Sequence, residues 1–259
     1  MKPSAQNPTH SLAPGEVHVW LMPEPAAPPE AFAAVLAASE RDEFARMAPA
    51  PARRFVCGRG LLRHTLSRYA DPLPAAWVLQ RTERGRPELL GMAGPSFNVS
   101  HTQGLVVCAV SAGTVGVDVE RGRRLKDPKA LAKRFFHPEE ASQVLGAGGE
   151  DARRACFLRL WTLKEAHAKA LGCGVAGQLG KLRFPARLPG GAREKEARDD
   201  FVEAPISLGD AESSAERGWV CWYRRPTAAH HLSVVAAGGT ELSCHWLDTA
   251  GHDATAPLR

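Results

Sequence analysis

The sequence predicts an α+β fold, because both halves of the chain show the same coarse order of strand, helix and β-hairpin. The 259 residues are 44% hydrophobic and 24% charged, which is typical of one large globular domain or two small ones. No repeat is visible residue by residue. The order of elements therefore indicates two halves of similar architecture, without requiring an internal duplication.

The composition is that of a globular protein from a reducing compartment. No apolar stretch reaches the roughly 18 residues that a membrane-spanning helix needs, and residues 1–14 lack the apolar core of a secretory signal. The six cysteines are scattered without a C-x-x-C pair, which argues against a zinc site. We therefore expect a cytoplasmic protein with buried free thiols.

The first half opens with a polar arm at residues 1–14, followed by a strand and two helices. Residues 17–21 (VHVWL) alternate as a strand, and a proline-rich stretch ends it. Residues 29–47 and 53–69 place apolar side chains at helical spacing, so both are predicted to be helices that pack on a core.

Short strands complete the first half. Residues 77–79 predict a strand, a turn follows at 83–87, and residues 97–101 (FNVSH) form the end of another strand. Residues 105–110 and 114–120 are both apolar, and the Ser-Ala-Gly between them predicts a β-hairpin.

The second half continues with helices. Residues 128–136 and 138–145 predict two short helices divided at His137-Pro138. Residues 151–171 form the strongest predicted helix, with Gly172 as its C-cap. One stripe of this helix is lined by Phe157, Leu160, Trp161, Lys164 and Ala168.

The C-terminal part predicts little regular structure apart from one hairpin. The charged stretch 188–218 is expected to be a long mobile loop. Residues 219–225 and 232–237 predict a final hairpin, and residues 238–259 a loosely held tail.

Basic residues concentrate in one stretch of the first half. The net charge is +5 with a pI near 9.0, which suits an acidic partner, a polyphosphate ligand or nucleic acid. No acid lies between Glu43 and Asp71, and this stretch holds Arg46, Arg53, Arg54, Arg59, Arg63 and Arg68. The pattern fits either a solvated helix face or an anion-binding surface.

Two carboxylates alternate along a strand at residues 116–120 (GVDVE). Asp118 and Glu120 point to one side of the strand, and the intervening valines point to the other. Magnesium is a hard cation that prefers such oxygen donors. By itself, however, this spacing is also typical of an exposed polar strand face.

The long helix presents polar side chains at a spacing of four residues. Trp161, Glu165 and Lys169 share one face, and Glu165 with Lys169 forms an i, i+4 pair of a common surface type. The spacing alone favours Trp161 as a core residue and Lys164 as a surface lysine with a buried stem.

Two further positions suggest anion binding. His101 follows Ser100 just before a turn whose backbone amides could join it in holding an anion, although a lone histidine is usually structural. Arg86 is held between Gly85 and Pro87, a constrained geometry that favours phosphate contact.

Three segments in this order resemble the signature motifs of the 4′-phosphopantetheinyl transferases: residues 97–102 (FNVSHT), 116–120 (GVDVE) and 161–169 (WTLKEAHAK). Residues 135–140 (FFHPEE) are similar to the family's segment between its second and third motifs. The chain length and the additional N-terminal half resemble the monomeric, Sfp-like (surfactin-synthetase-activating) type.

The resemblance implies roles for nine residues. Asp118, Glu120 and Glu165 correspond to ligands of magnesium, or alternatively manganese, and Glu165 also to the base for the incoming serine. Lys169 corresponds to the lysine on the transferring phosphate. Residues placed toward coenzyme A are Arg54, Arg86, Ser100, His101 and Lys164, with His101 also acting in catalysis.

The resemblance also implies a fold, a reaction and a partner. The expected fold has two similar α/β halves about a pseudo-twofold axis, residues 15–113 and 114–237, with the site in the cleft between them. The expected reaction transfers the phosphopantetheine arm of coenzyme A to a serine of an acidic apo carrier protein, releasing 3′,5′-ADP. The carrier would contact the segment from Lys126 to Phe136, and neither nucleic acid nor a membrane is expected as a partner.

Two other readings remain open at this point. A non-catalytic module that binds coenzyme A or another anion would need the arginines and His101 but not the three acids. A metal-dependent phosphodiesterase would use the paired carboxylates with a positioned water instead of a serine.

Overall fold

The computed structural model describes residues 8–83, 85–122, 125, 127–173, 179–180, 183–184, 202–205, 218–238, 241–248 and 252–254. Within these ranges the fold is α+β, as predicted, and it divides into two compact units. One unit is drawn from Met1–Ala112 with Glu241–Leu258, and the other from Gly113–Thr240. None of the helices in these ranges is long and apolar enough to cross a membrane.

A mixed sheet forms the centre of the first unit. Its strands are β1 (Glu16–Pro23), β4 (Ser96–Thr102), β5 (Leu105–Ser111), β10 (Glu241–Leu247) and β11 (Asp253–Ala254). They are hydrogen-bonded in the order β11-β10-β1-β5-β4. Two short strands, β2 (Leu79–Arg81) and β3 (Pro87–Leu89), pair separately with each other.

The prediction of a loosely held tail after residue 238 is wrong. β10 runs parallel to β1, from the pair Glu16–Glu241 to the pair Leu21–Trp246, and so occupies an internal position in the sheet. Trp246 and Leu247 are buried. Parallel pairing joins segments far apart in sequence, so no local turn signal announces it.

Helices cover the sheet of the first unit. The predicted helix 29–47 is two helices, α1 (Glu30–Ala34) and α2 (Ala38–Ala45), because Ala37 is extended and its amide donates to Glu40 Oε2 at 2.9 Å. The next helix, α3 (Pro49–Leu66), packs apolar residues against the sheet. Thr9 and His10, in the predicted polar arm, donate backbone hydrogen bonds to the carbonyl of Arg68.

The predicted hairpin of residues 105–110 and 114–120 is also wrong. Both segments are strands, but β5 pairs with β4 and β1, whereas the following strand, β6 (Val115–Arg121), lies in the sheet of the second unit. The true hairpin joins β4 to β5 through a two-residue turn, in which Gly104 has a φ of +94°. A tight turn with positive φ favours this closer pairing.

Among its described residues, the second unit has a four-stranded antiparallel sheet and three helices. Its other strands are β7 (Val202–Pro205), β8 (Trp219–Thr227) and β9 (His230–Ala237), in the order β6-β9-β8-β7. The predicted final hairpin is therefore confirmed as β8 and β9. β7 lies inside the predicted loop 188–218, whose residues 188–201 and 206–217 are outside the described residues.

The helices of the second unit follow the sequence signals closely. They are α4 (Pro128–Phe135), α5 (Pro138–Gly146) and α6 (Gly149–Leu171). Asp127 caps α4, Glu140 accepts from the His137 amide at the start of α5, and Gly172 ends α6 in the left-handed conformation. One apolar core joins α4, α5 and α6 to the sheet.

Candidate active site

The site in the second unit depends on a close approach of β6 and α6 at Gly116. A Cβ atom at this position would lie 2.0 Å from the Ala166 carbonyl oxygen and 2.5 Å from the Ala170 amide nitrogen. Strand and helix therefore touch backbone to backbone. Because side chains alternate along the strand, Asp118 and Glu120 leave β6 on the same face as Gly116, toward α6.

Asp118 forms the central contact of this site. It is buried, and its Oδ1 accepts a hydrogen bond from Lys169 Nζ at 2.6 Å. Ser233 lies opposite Asp118 on β9, and its hydroxyl is 2.7 Å from that of Thr162 on α6. This second bond between sheet and helix fixes Lys169 and Asp118 in register.

The pKa of Glu165 depends on burial and on the charges of the neighbouring acids. Burial, together with the negative charges of Asp118 and Glu120, raises the pKa of Glu165 to about 7, against the opposing effect of Lys169. A raised pKa of this kind is expected when like charges share a partly desolvated site. The three acids and Lys169 therefore form one electrostatic cluster, although no three His, Cys, Asp or Glu side chains of the described ranges are arranged as a ready metal cage.

Lys164 lies elsewhere, and the structure does not support it as a coenzyme ligand or as a surface lysine. Its side chain is completely buried, with Nζ 2.7 Å from Glu140 Oε2 and 2.6 Å from the Leu179 carbonyl oxygen. Burial lowers the pKa of Lys164, while Glu140 opposes the shift. Lys164 thus joins α6 to α5 in the core.

The first unit holds the other four predicted residues. His101 is exposed near the end of β4, beside Gly58 of α3, where a Cβ would lie 3.6 Å from the imidazole Cδ2. Ser100 is buried, and Arg54 Nη1 is 4.0 Å from Glu24 Oε1. Arg86 sits in the turn between β2 and β3, where its amide donates to Thr82 Oγ1.

A cavity of about 180 Å³ lies beside His101 in the first unit. Its lining is Phe55, Gly58, Arg59, Leu62, Arg81, Pro87, Val99 and His101. Sequence reasoning included Arg59 only as one of several arginines on a helix and did not single out Arg81. The cavity combines an aromatic ring with three groups able to carry positive charge, a lining suited to an anionic ligand with an apolar part.

A second cavity, of about 220 Å³, adjoins Glu120 in the second unit. Apart from Glu120 its lining is apolar: Leu125, Leu131, Phe135, Phe157, Leu158 and Trp161. Trp161 is half-buried and stacks on Phe157 with ring centres 5.7 Å apart. The sequence interpretation of Trp161 as core is therefore only partly right, because the indole also lines this opening.

Comparison with known proteins identifies the class of enzyme. Residues 114–212 match the 4′-phosphopantetheinyl transferase superfamily. The 4′-phosphopantetheinyl transferase HetI of Nostoc sp. is 37% identical over 176 residues, which are 65% of this chain and 74% of that protein. The 4′-phosphopantetheinyl transferase psf-1 of Bacillus pumilus is 32% identical over 77% of this chain and 81% of its own length.

The chain therefore belongs to the 4′-phosphopantetheinyl transferase superfamily. Sfp of Bacillus subtilis is also 30% identical over 125 residues, which are 48% of this chain and 54% of Sfp. The family resemblance drawn from the three motifs is confirmed, and the chain is an enzyme of the transferase class.

Proposed function

We propose that this enzyme transfers the 4′-phosphopantetheine arm of coenzyme A to a serine of an acidic apo carrier protein, releasing 3′,5′-ADP. The observation that carries the proposal is the cluster of Asp118, Glu120, Glu165 and Lys169, in which the pKa of Glu165 is raised to about 7. A carboxylate poised near neutral pH beside a lysine suits proton removal next to a phosphate.

Magnesium, or alternatively manganese, fits this donor set. Magnesium is usually held by one or two carboxylates together with waters and substrate phosphates, so a complete protein cage is not required. Burial raises the pKa of Glu165 most, and repulsion from Asp118 and Glu120 adds to it; a bound divalent cation would offset this repulsion. Asp118, Glu120 and Glu165 would hold the ion, which when bound would neutralise charge on the pyrophosphate of coenzyme A.

The protein's own groups account for the remaining chemistry. Glu165 accepts the hydroxyl proton of the carrier serine as the serine oxygen attacks the β-phosphate of coenzyme A. Lys169, held in place by Asp118, donates to the transferring phosphate and offsets its negative charge. His101, with Ser100, Arg54 and Arg86, contacts the nucleotide end, where 3′,5′-ADP leaves.

The carrier protein is proposed to contact residues 126–136. Within this segment Lys129, Lys133 and Arg134 are exposed on α4, and Lys126 lies outside the described residues. Positive charge on this helix would steer an acidic partner. The apolar cavity beside Glu120 borders the same helix through Leu131 and Phe135.

The enzyme is proposed to act as a monomer.

Intact mass spectrometry tests the proposal. Purified enzyme, Mg²⁺, coenzyme A and a panel of apo carrier proteins should give a mass gain of one phosphopantetheine arm. Glu165→Gln keeps the shape of the side chain but cannot accept the proton, and we expect it to slow transfer by roughly 10²- to 10³-fold. Circular dichroism should show an unchanged fold.

Three outcomes would contradict the proposal. If no carrier gains mass, the enzyme does not perform this transfer. Nucleotide release without any carrier would support a phosphodiesterase, and coenzyme A binding that is indifferent to Mg²⁺, with no transfer, would support a binding module.

A further inference from the structure

A buried carboxylate at the end of β1 belongs to none of the groups assigned above. Glu24 directly follows Pro23, the last residue of the strand, and its side chain is only 3% exposed. Its Oε2 accepts a hydrogen bond from the Gly104 amide at 2.8 Å, and its Oε1 accepts one from Arg53 Nε at 2.9 Å. A carboxylate taken out of water needs such partners, so these contacts fix its place in the fold.

One of these contacts holds the turn that follows His101. Gly104 is the second residue of the tight turn between β4 and β5, and its φ of +94° favours glycine. The backbone amide of Glu24 also donates to the Gly104 carbonyl at 3.1 Å, so two hydrogen bonds of opposite direction join the two residues. His101 lies three residues before Gly104 and pairs with Val106 in the same hairpin. The backbone position of His101 is therefore linked to Glu24.

The other contact holds the first turns of α3. Arg53 is committed to the protein, because its Nε bonds to Glu24 and its Nη1 donates to the Ala26 carbonyl at 3.2 Å. The next residue, Arg54, approaches the same Glu24 Oε1 only to 4.0 Å and is partly exposed. Of these two neighbouring arginines, Arg54 is therefore the one that can turn toward a ligand.

The charge of Glu24 keeps this arrangement together at neutral pH. Burial acts to raise the pKa of Glu24, but the hydrogen bond from Gly104 and the charges of Arg53 and Arg54 outweigh it and lower the pKa below its usual value. Both carboxylate oxygens therefore remain acceptors. An amide side chain in the same place would present an NH₂ group to either Gly104 or Arg53, which are both donors.

We propose that Glu24 is a positioning residue of the transferase, which holds the β4–β5 turn and α3 together and so presents His101 and Arg54 to the nucleotide end of coenzyme A. The inference rests on the proposed function, which brings that end of coenzyme A to these two residues. Glu24 acts through them, since both of its carboxylate oxygens are occupied by Gly104 and Arg53. Its loss should weaken the binding of coenzyme A more than it slows transfer from bound coenzyme A, because the acid cluster and Lys169 are untouched.

Calorimetric titration with coenzyme A and steady-state transfer kinetics test this role. Glu24→Gln keeps the size of the side chain but removes its charge. We expect the Kd for coenzyme A to rise about 10-fold, as when a residue that orients a ligand contact is lost, and kcat to fall less than about 3-fold. Glu24→Asp keeps the charge on a shorter side chain and should give a Kd between those of wild type and Glu24→Gln.

The matched control lies at the other end of the same strand. Glu16, the first residue of β1, also accepts a backbone hydrogen bond, from the Ala13 amide to its Oε2 at 2.7 Å. Glu16→Gln removes the same charge far from the β4–β5 turn, and should leave both Kd and kcat at their wild-type values.

Double variants distinguish positioning from a general loss of stability. If Glu24 acts through His101 and Arg54, the effects of the variants are not additive. In the background of His101→Ala, or of Arg54→Gln, the rise in Kd caused by Glu24→Gln should shrink from about 10-fold to about 3-fold, because one of the two contacts is already gone. Thermal melts identify any variant that fails to fold. If Glu24→Gln is one of them, Glu24→Asp is used in the same comparisons.

The outcomes separate the inference from the proposed function. The positioning role is overturned if Glu24→Gln binds coenzyme A as tightly as wild type, or if its loss of affinity is the same with and without His101 and Arg54. Wild-type protein that binds no coenzyme A and modifies no carrier would overturn the proposed function itself.

Discussion

At the scale of single residues, two lysines of one helix have opposite environments. Lys169 is partly exposed and bonds to Asp118, whereas Lys164 is enclosed by Glu140 and the Leu179 carbonyl. The sequence held the signal for this difference, because Lys164 falls on the apolar stripe of α6 with Phe157 and Leu160. The position of Lys164 on the helix therefore predicts its burial better than its charge does.

Removing Lys164 should destabilise the fold. Lys164→Met leaves the Glu140 carboxylate buried without its cation, which costs about 3–5 kcal/mol when a buried pair is broken from one side. Urea unfolding should show a lower free energy of unfolding, partly restored in the double variant with Glu140→Gln. Lys133→Met, at an exposed position of α4, should change it by less than about 0.5 kcal/mol. Equal stability of both single variants would contradict a structural role for Lys164.

Removing Lys169 should change the pKa of Glu165, in contrast to the loss of stability expected on removing Lys164. Lys169 lowers the pKa of Glu165 and so opposes the effects of burial and of the other two carboxylates. In metal-free Lys169→Met we therefore expect the Glu165 pKa to rise above its wild-type value of about 7. Carbon-13 NMR of the glutamate carboxyl groups measures this shift. A pKa that stays unchanged, as expected for Lys133→Met, would place Lys169 outside the cluster.

At the scale of elements, sequence patterns predicted the positions of strands and helices more reliably than they predicted which strands pair with each other. Apolar alternation identified both residues 105–110 and 114–120 as strands, but it could not show that they enter different sheets. β10 was missed because it is stabilised by a distant strand, β1, through parallel pairing. The motifs predicted that Asp118, Glu120, Glu165 and Lys169 belong to one site. Their spacing in the sequence could not predict how closely β6 packs against α6, which sets the geometry of that site.

Gly116 is where that packing can be tested. Gly116→Ala places a methyl group against the backbone of α6, at distances that only separation of strand and helix can relieve. We expect loss of stability by about 1–3 kcal/mol, as for overpacked cores, together with impaired transfer because Asp118 and Lys169 move apart. Gly146→Ala is the matched control, since a Cβ there meets no atom within 4 Å. Identical melting and transfer in both variants would show that the contact is not needed.

At the scale of the whole molecule, two buried histidines and one half-buried histidine make stability depend on pH. Burial lowers the pKa of His245 in the first unit and of His167 in the second to about 4, and that of His231 to about 3. Each imidazole is neutral in the folded state, whereas an unfolded chain protonates it near pH 6.5. Between these values the unfolded state binds more protons, so stability is complete above pH 6.5 and is lost as the pH falls toward 4.

His245 allows this pH dependence to be assigned to one site. Its ring stacks on Trp20 at 4.2 Å and lies 5.2 Å and 5.4 Å from the rings of His18 and His10, so protonation places like charges together. His245→Phe keeps an aromatic ring on Trp20 and removes the ionisable group. The fall in melting temperature from pH 6.5 to pH 4 should therefore be smaller than in wild type. His252→Phe changes an exposed histidine and should leave the wild-type pH profile intact. If His245→Phe melts with the wild-type pH dependence as well, the acid sensitivity does not arise from His245.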